Sequence, residues 1–256
     1  MRSRHAQMDE CMQVSVKIMG IDIDMMSNDI FIQKMNEYLT EDSLDVILFA
    51  STDMLNRAVD DLEYQQILKQ AKLLLPGEEA LLTTHHVDIL EAGGMVVSCR
   101  SLGMMLENLI KEDRTLYIIA ESEEEVAGLQ EYCRHMQTGL QVVGAYVYDR
   151  EQENAAVINE INSHTPDMLL LNLTTGLQEE WIMEHAPLLS ARLCIAIGGV
   201  AELMLAQQKE PPLWLEKLHL DGVFRHVVKD QTVKNDMKAR IFRKKIVQYN
   251  NQTDKK

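Results

Sequence analysis

Short blocks of continuous apolar residues recur along this chain, separated by stretches with helical spacing. Asp45 to Ala50 (Asp-Val-Ile-Leu-Phe-Ala), Leu116 to Ala120, Val142 to Val147, Met168 to Leu173 and Leu193 to Ile197 are strand-sized. Their uninterrupted apolar character fits strands covered on both faces rather than strands with one face in water. Val14, Val16 and Ile18 alternate ahead of Gly20 and predict a first strand. Between these blocks, Leu55, Val59, Leu62, Ile67 and Leu68 predict a helix after the 45–50 strand. Leu102, Met105, Leu106 and Leu109 form a second stripe behind Ser101, a residue suited to capping. Ser122 with Glu125 three residues on has the form of a capping box and opens a helix carrying Val126, Leu129 and Cys133. Further helices are predicted over 156–161, around Trp181, and from Glu78 to Leu90, where Gly93-Gly94 ends the run. Leu73-Leu74-Leu75 is short and stops at the turn signal Pro76-Gly77.

Strands that alternate with helices predict βαβ units, a mostly parallel sheet and helices on both faces. Ligands of such sheets lie beyond the carboxyl ends of the strands. The loops of interest are therefore Ser51-Thr52-Asp53, Pro76-Gly77-Glu78-Glu79, Asn172 to Gly176 and Gly198-Gly199. Thr174-Thr175-Gly176, between a strand and a helix, suits a phosphate through backbone N–H groups and hydroxyls, or is simply a capped helix start. Gly198-Gly199 offers close backbone approach to a ligand or a tight turn. Gln178 and Glu179 have the chemistry to hold sugar hydroxyls or a uracil-like amide, and Glu179 equally complements the helix N-terminus.

Charge and composition narrow the classes. The 256 residues carry a net charge of −15, which disfavours nucleic-acid phosphates as partners. Nine of the 25 Lys and Arg, but only three of the 40 Asp and Glu, fall after residue 228, so a basic tail (229–256) follows an acidic body (1–228). Val233, Met237 and Ile241 lie at helical spacing in that tail, with Phe242, Ile246 and Tyr249 beside them and Arg240, Arg243, Lys244 and Lys245 around them. A basic amphipathic helix reads as an element for an anionic membrane surface, or as a helix packed on its own acidic body. No apolar run approaches the ~20 residues of a membrane span, and the first residues lack the apolar segment of a secretory signal. The four cysteines are scattered without a C-x-x-C pair, which fits reduced thiols of a cytoplasmic protein. His85-His86-x-Asp88 is a poor metal set, because adjacent residues on a helix do not share a face. No metal and no cofactor is expected. Neither G-x-G-x-x-G nor G-x-x-x-x-G-K-[ST] is present, so a dinucleotide or P-loop site is not supported.

Taken in order, several segments resemble the WecG/TagA/CpsF family of bacterial glycosyltransferases. They are Ile18 to Asp24, Ser163 to Leu171 with its Pro166-Asp167, Gln178-Glu179-x-Trp181-Ile182, Ile197-Gly198-Gly199, Pro212-x-Trp214 and Arg225. The resemblance spans about Ile18 to Arg225 and implies a Rossmann-like α/β fold with a basic C-terminal appendage. It implies transfer of an N-acetylhexosamine-type sugar from a UDP-sugar to a polyprenyl-diphosphate-linked acceptor, at the inner face of the plasma membrane. Ser51, Thr52, Thr174, Thr175, Gln178, Glu179, Gly198 and Gly199 would then surround the sugar nucleotide, with Arg225 on the diphosphate. The pattern also departs from the family. Its P-D-G loop reads Pro76-Gly77-Glu78, placing Gly77 where the family's general-base Asp stands and leaving Glu78 as the nearest carboxylate. Its Asn in T-x-N-P-E is Ser51, the Asp of T-G-S-D is missing from Ser98 to Ser101, and the Lys ahead of Q-E is absent. Two activities follow as alternatives: a divergent transferase with Glu78 as base, or a non-catalytic descendant that binds a nucleotide sugar, a lipid-linked glycan or a partner. A homo-oligomer stays open.

Overall fold

The structure is a computed structural model, described here for residues 14–78, 81, 99–136, 139–151, 153–198, 237–238 and 240–251. It opens with an antiparallel hairpin of β1 (Val14–Ile18) and β2 (Ile21–Met25). Met19 and Gly20 both adopt positive φ, 50° and 82°, the backbone that a two-residue hairpin turn requires. β1 is therefore a strand where the alternation places one, but it belongs to this separate ribbon and not to the main sheet. Then follow α1 (Asn28–Tyr38), β3 (Asp45–Ala50), α2 (Thr52–Asp60), α3 (Leu62–Leu68) and β4 (Leu73–Pro76). The second half runs α4 (Cys99–Lys111), β5 (Thr115–Ala120), α5 (Glu123–Met136), β6 (Gln141–Val147), α6 (Asn154–His164), β7 (Met168–Asn172), α7 (Leu177–His185) and β8 (Leu193–Ala196). A last helix, α8, covers 240–251.

Six strands form one parallel sheet in the order β4-β3-β8-β7-β5-β6. Every residue of β3 is buried, as the unbroken apolar run predicts. Alternate side chains feed two cores. Val46, Leu48 and Ala50 join α2, α3, α6, α7 and α8 on one face, whereas Ile47 and Phe49 join α1, α4 and α5 on the other. The single helix expected over 55–68 is two helices. Asp61 leaves helical geometry at φ −126°, ψ 98°, and its carboxylate caps α3 by accepting from Tyr64 N at 2.9 Å. β4 is an edge strand, and Asp24 Oδ2 accepts from Leu74 N at 2.9 Å, so the hairpin covers that edge.

The C-terminal helix is seated on the body by Phe242 and Ile246, which are buried, and by the half-buried Tyr249. Met237 and Ile241, placed by their spacing in an apolar stripe, point outward instead at 63% and 48% exposure. Lys245 Nζ donates to Asn56 O at 3.0 Å and pairs with Asp60 at 2.6 Å. The acidic outer side of α2 thus receives the basic flank of α8.

Candidate functional site

Chain direction locates the crevice before any side chain is considered. β5 leads through α5 to β6 on one side, and β7 leads through α7 to β8 on the other. The two helices pack on opposite faces, Leu129 and Cys133 of α5 in one core, Trp181 and Ile182 of α7 in the other. The carboxyl ends of β5 and β7 are consequently where the connections diverge, the place at which a doubly wound sheet opens to a ligand. A cavity of about 470 Å³ lies there. Glu121 and Glu125 line it from the β5 side, and Asn172, Thr174 and Thr175 from the end of β7. Asp53, Arg57 and Lys238 close it from α2 and the start of the C-terminal helical segment.

The Thr loop holds its donors close. Thr174 N donates to Glu121 Oε2 at 2.6 Å, and the Thr174 hydroxyl donates to the same oxygen. Gly176 N donates to Glu179 Oε2, while Leu177 N and Gln178 N both donate to Thr174 O. Gly176 stands at φ 96°, and a Cβ there would lie 2.5 Å from the Arg57 guanidinium. Arg57 in turn pairs with Glu180 and Asp61 and lies over the Tyr64 ring at 4.0 Å.

Gln178 and Glu179 are buried, and their polar atoms are bonded within the protein. Gly198 N donates to Gln178 Oε1 at 2.9 Å, Gln178 Nε2 donates to Glu179 Oε1 at 2.7 Å, and the Tyr64 hydroxyl donates to Glu179 Oε2 at 2.9 Å. The pair ties the loops after β7 and β8 to α3. Burial raises the Glu179 carboxyl above the ordinary range, against the Gln178, Gly176 and Tyr64 donors. Trp181 of the same segment donates its Nε1 to Asn154 Oδ1 at 3.1 Å and stacks on His185 at 5.2 Å, so it too holds the fold together.

At the ends of β3 and β4, Ser51 caps α2, its Oγ accepting from Met54 N at 3.1 Å. Thr52 is fully buried and its N–H donates to Glu78 Oε2 at 3.3 Å. A helix N-terminus therefore faces the Glu78 carboxylate. Burial nevertheless raises the Glu78 carboxyl, opposed by Thr52 and by the positive charge of Lys238. Lys238 is bonded to Asp53 at 2.7 Å. Glu78 is half-buried beside the start of α2 and is not one of the residues that line the cavity. Gly77 N donates to Ala50 O at 2.8 Å, and a Cβ on Gly77 would fall 2.8 Å from that oxygen. The strand packing at this loop leaves room for hydrogen only.

The structure thus gathers Ser51, Thr52, Glu78, Thr174, Thr175, Gln178, Glu179 and Gly198 at the carboxyl edge of one sheet. Gly199 and Arg225 lie outside the described residues, as do His85, His86, Asp88, Pro212 and Trp214. Arg240, Arg243 and Lys244 lie exposed on α8, whereas Lys245 faces α2. The sequence patterns do not single out Glu121 or Lys238 as site residues. Glu121 directly follows a strand's carboxyl end, which is a readable signal; Lys238 reaches the cavity only because the C-terminal segment folds back. Among the described residues there is no cluster of three His, Cys, Asp or Glu placed to hold a metal ion, and no helix long and apolar enough to cross a membrane.

A model of the glycosyl transferase WecG/TagA/CpsF family matches residues 16–233. Two similar proteins are the N-acetylglucosaminyldiphosphoundecaprenol N-acetyl-beta-D-mannosaminyltransferases of Staphylococcus aureus strains COL and MW2. The first is 18% identical over 215 residues, covering 83% of this chain and 84% of the relative. The second is 18% identical over 212 residues, covering 82% and 83%. With that match over most of its length, a parallel α/β sheet and a cavity at its switch point, this chain belongs to the WecG/TagA/CpsF family of glycosyl transferases.

Proposed function

We propose that this chain transfers an N-acetylhexosamine-type sugar from a UDP-sugar to a polyprenyl-diphosphate-linked acceptor in cell-surface polysaccharide synthesis, with Glu78 as general base. The observation that carries the reading is the Glu78 carboxylate. It stands at the carboxyl ends of β3 and β4, bonded to the first N–H of α2 and raised toward a useful proton affinity by burial. The acceptor oxygen attacks the anomeric carbon, the UDP oxygen departs with the bonding electrons, and Glu78 takes the acceptor's proton. Ser51, Thr52, Thr174, Thr175, Gly198 and Gly199 surround the donor, with Arg225 on its diphosphate. Gln178 and Glu179 act on the donor by fixing the loops that touch it. The printed names of the relatives, whose acceptor is a lipid-linked N-acetylglucosaminyl diphosphate, support the acceptor class.

The exposed face of α8 carries Arg240, Arg243 and Lys244 beside Ile241 and Val247. That pairing of basic and apolar groups suits the anionic inner face of the plasma membrane, where a lipid-linked acceptor resides. Purified protein, a UDP-N-acetylhexosamine panel and a polyprenyl-diphosphate-GlcNAc acceptor test the activity. Glu78→Gln should lower turnover by about 10²–10⁴ while leaving the fold intact. Unchanged turnover in that variant sinks the assignment.

One observation favours a second reading, a binding scaffold without chemistry. Among the described residues, both cations lining the cavity are already paired, Arg57 with Glu180 and Asp61, and Lys238 with Asp53. Saturable UDP-sugar binding without transfer to any acceptor would select it.

A further inference from the structure

The donors of the Thr174 loop that would meet an anion at the β7 end of the crevice are engaged by a carboxylate from another loop. Glu121 Oε2 accepts from both the N–H and the hydroxyl of Thr174. Nothing in the local helix geometry of α5 requires this. Ser122 already caps that helix through Glu125 N at 3.1 Å, and the N–H of Glu121 itself is taken by Glu125 Oε2 at 3.0 Å. Glu121 therefore reaches across the crevice while its own backbone is satisfied. It is half-buried and lines the cavity, so a rotamer change can carry its charge into solvent. Deeper in the same cavity, Asn172 Oδ1 is buried and has no hydrogen-bond partner among the described residues, with the whole residue 7% exposed. A buried acceptor in that state calls for an N–H or O–H from a ligand.

We propose that Glu121 is an internal stand-in for the diphosphate of a nucleoside diphosphate. Its carboxylate occupies the Thr174 donors in the empty protein and must leave before an anion takes them. Asn172 meets a hydroxyl or imide of the nucleoside. The proposal rests on the reading of the crevice as a nucleotide-sugar site, and it makes Glu121 the residue that sets how tightly that site holds the donor. It also accounts for a neutralised cavity in a protein expected to hold an anion: a carboxylate supplied by the chain keeps the donors satisfied until a competing anion arrives.

Calorimetric titration of UDP and of inorganic pyrophosphate into the full chain tests it. Glu121→Ala and Glu121→Gln should bind both probes about tenfold to a hundredfold more tightly than the wild type, since a charge-assisted contact no longer has to be broken. Glu124→Gln, which removes the same charge from an exposed position on α5, should change neither affinity by more than about twofold. Asn172→Ala should weaken UDP and leave pyrophosphate unchanged. The proposal is overturned if the Glu121 variants gain nothing, or if Glu124→Gln gains as much. Wild type that binds UDP and transfers sugar, with Glu121 variants that gain nothing, overturns this proposal and leaves the transferase reading standing. A gain in Glu121→Ala without transfer by any form supports the proposal and counts against the transferase. Absence of UDP binding by every form overturns both.

Discussion

Tyr64 on α3 donates its hydroxyl to Glu179 Oε2 on α7 at 2.9 Å, joining two helices 115 residues apart in the chain. The carboxylate it meets is fully buried and also accepts from Gly176 N and Gln178 Nε2. Such a network either has all its partners or becomes costly, because a buried acceptor that loses one is not rescued by water. The Q-E pair of the family pattern therefore works in this chain as a brace. It sets the spacing between the β7 and β8 loops.

Tyr64→Phe should cost about 1–3 kcal/mol of stability, measured by urea unfolding, with the cavity-lining residues unaltered. The cost depends on pH in a defined direction. Burial holds the Glu179 carboxyl above its unfolded value, and the Tyr64 hydroxyl works against that rise. A carboxyl raised on folding binds protons more tightly in the folded state, so its contribution is complete below the ordinary Glu range of about 4.3 and is lost as pH climbs through the raised value. Removing Tyr64 raises the carboxyl further and steepens that loss. The Tyr64→Phe penalty should accordingly be smaller at pH 4 than at pH 8; the reverse order would show that Glu179 is not the group responsible.

Restoring the family's acidic residue at Gly77 should fail. A Cβ at that position meets Ala50 O at 2.8 Å and Phe49 Cβ at 3.3 Å, and the first of these is backbone inside a parallel ladder. Gly77→Asp should destabilise the protein by about 1–3 kcal/mol, as overpacking does, and should not raise turnover. A folded Gly77→Asp variant with higher turnover than the wild type would show that the loop shifts freely and that Glu78 is not the base in use.

The positions of five of the six sheet strands were legible because buried parallel strands write unbroken apolar runs, as Asp45 to Ala50 does. Other elements escaped for physical reasons. α1 is capped by Ser27 at a weak 3.4 Å, and its contiguous Ile30-Phe31-Ile32 blurs the helical spacing at which Phe31, Met35 and Tyr38 are buried. β4 has only four residues and ends in Pro, so it carries more turn signal than strand signal. The 55–68 stretch shows one continuous periodicity, and Asp61 breaks it through capping chemistry that hydropathy does not record. At the site, the loops were legible from strand ends alone, and the partners within them were not. That Gln178 bonds Gly198 and Lys238 bonds Asp53 depends on which strands become neighbours and on the chain folding back.

The C-terminal helix should separate into two functions by face. Phe242 is fully buried, so Phe242→Ala should cost about 3–5 kcal/mol. Arg240, Arg243 and Lys244 face solvent, and their joint replacement by Ala should leave stability within about 0.5 kcal/mol. At about 1 kcal/mol per basic residue near an anionic surface, the triple variant should lose roughly a hundredfold in partition onto phosphatidylglycerol-rich vesicles, measured by sedimentation at low salt. Equal sedimentation of wild type and triple variant would leave the helix with a packing role only.

Glu78 makes the sharpest demand on chemistry, and its protonation supplies the check. A general base works only when ionised, so the acid limb of kcat/KM should follow the Glu78 carboxyl in the free enzyme. Burial raises that carboxyl, which moves the limb above the ordinary Glu value of about 4.3. The positive charge of Lys238 opposes the rise. Lys238→Gln removes it and should move the acid limb to still higher pH, while Glu78→Gln abolishes the limb along with most of the rate. A structural role for Lys238 alone would lower stability or kcat and leave the limb where it was. An acid limb unmoved by Lys238→Gln, in a protein still folded at every pH tested, would take Glu78 out of the proton transfer.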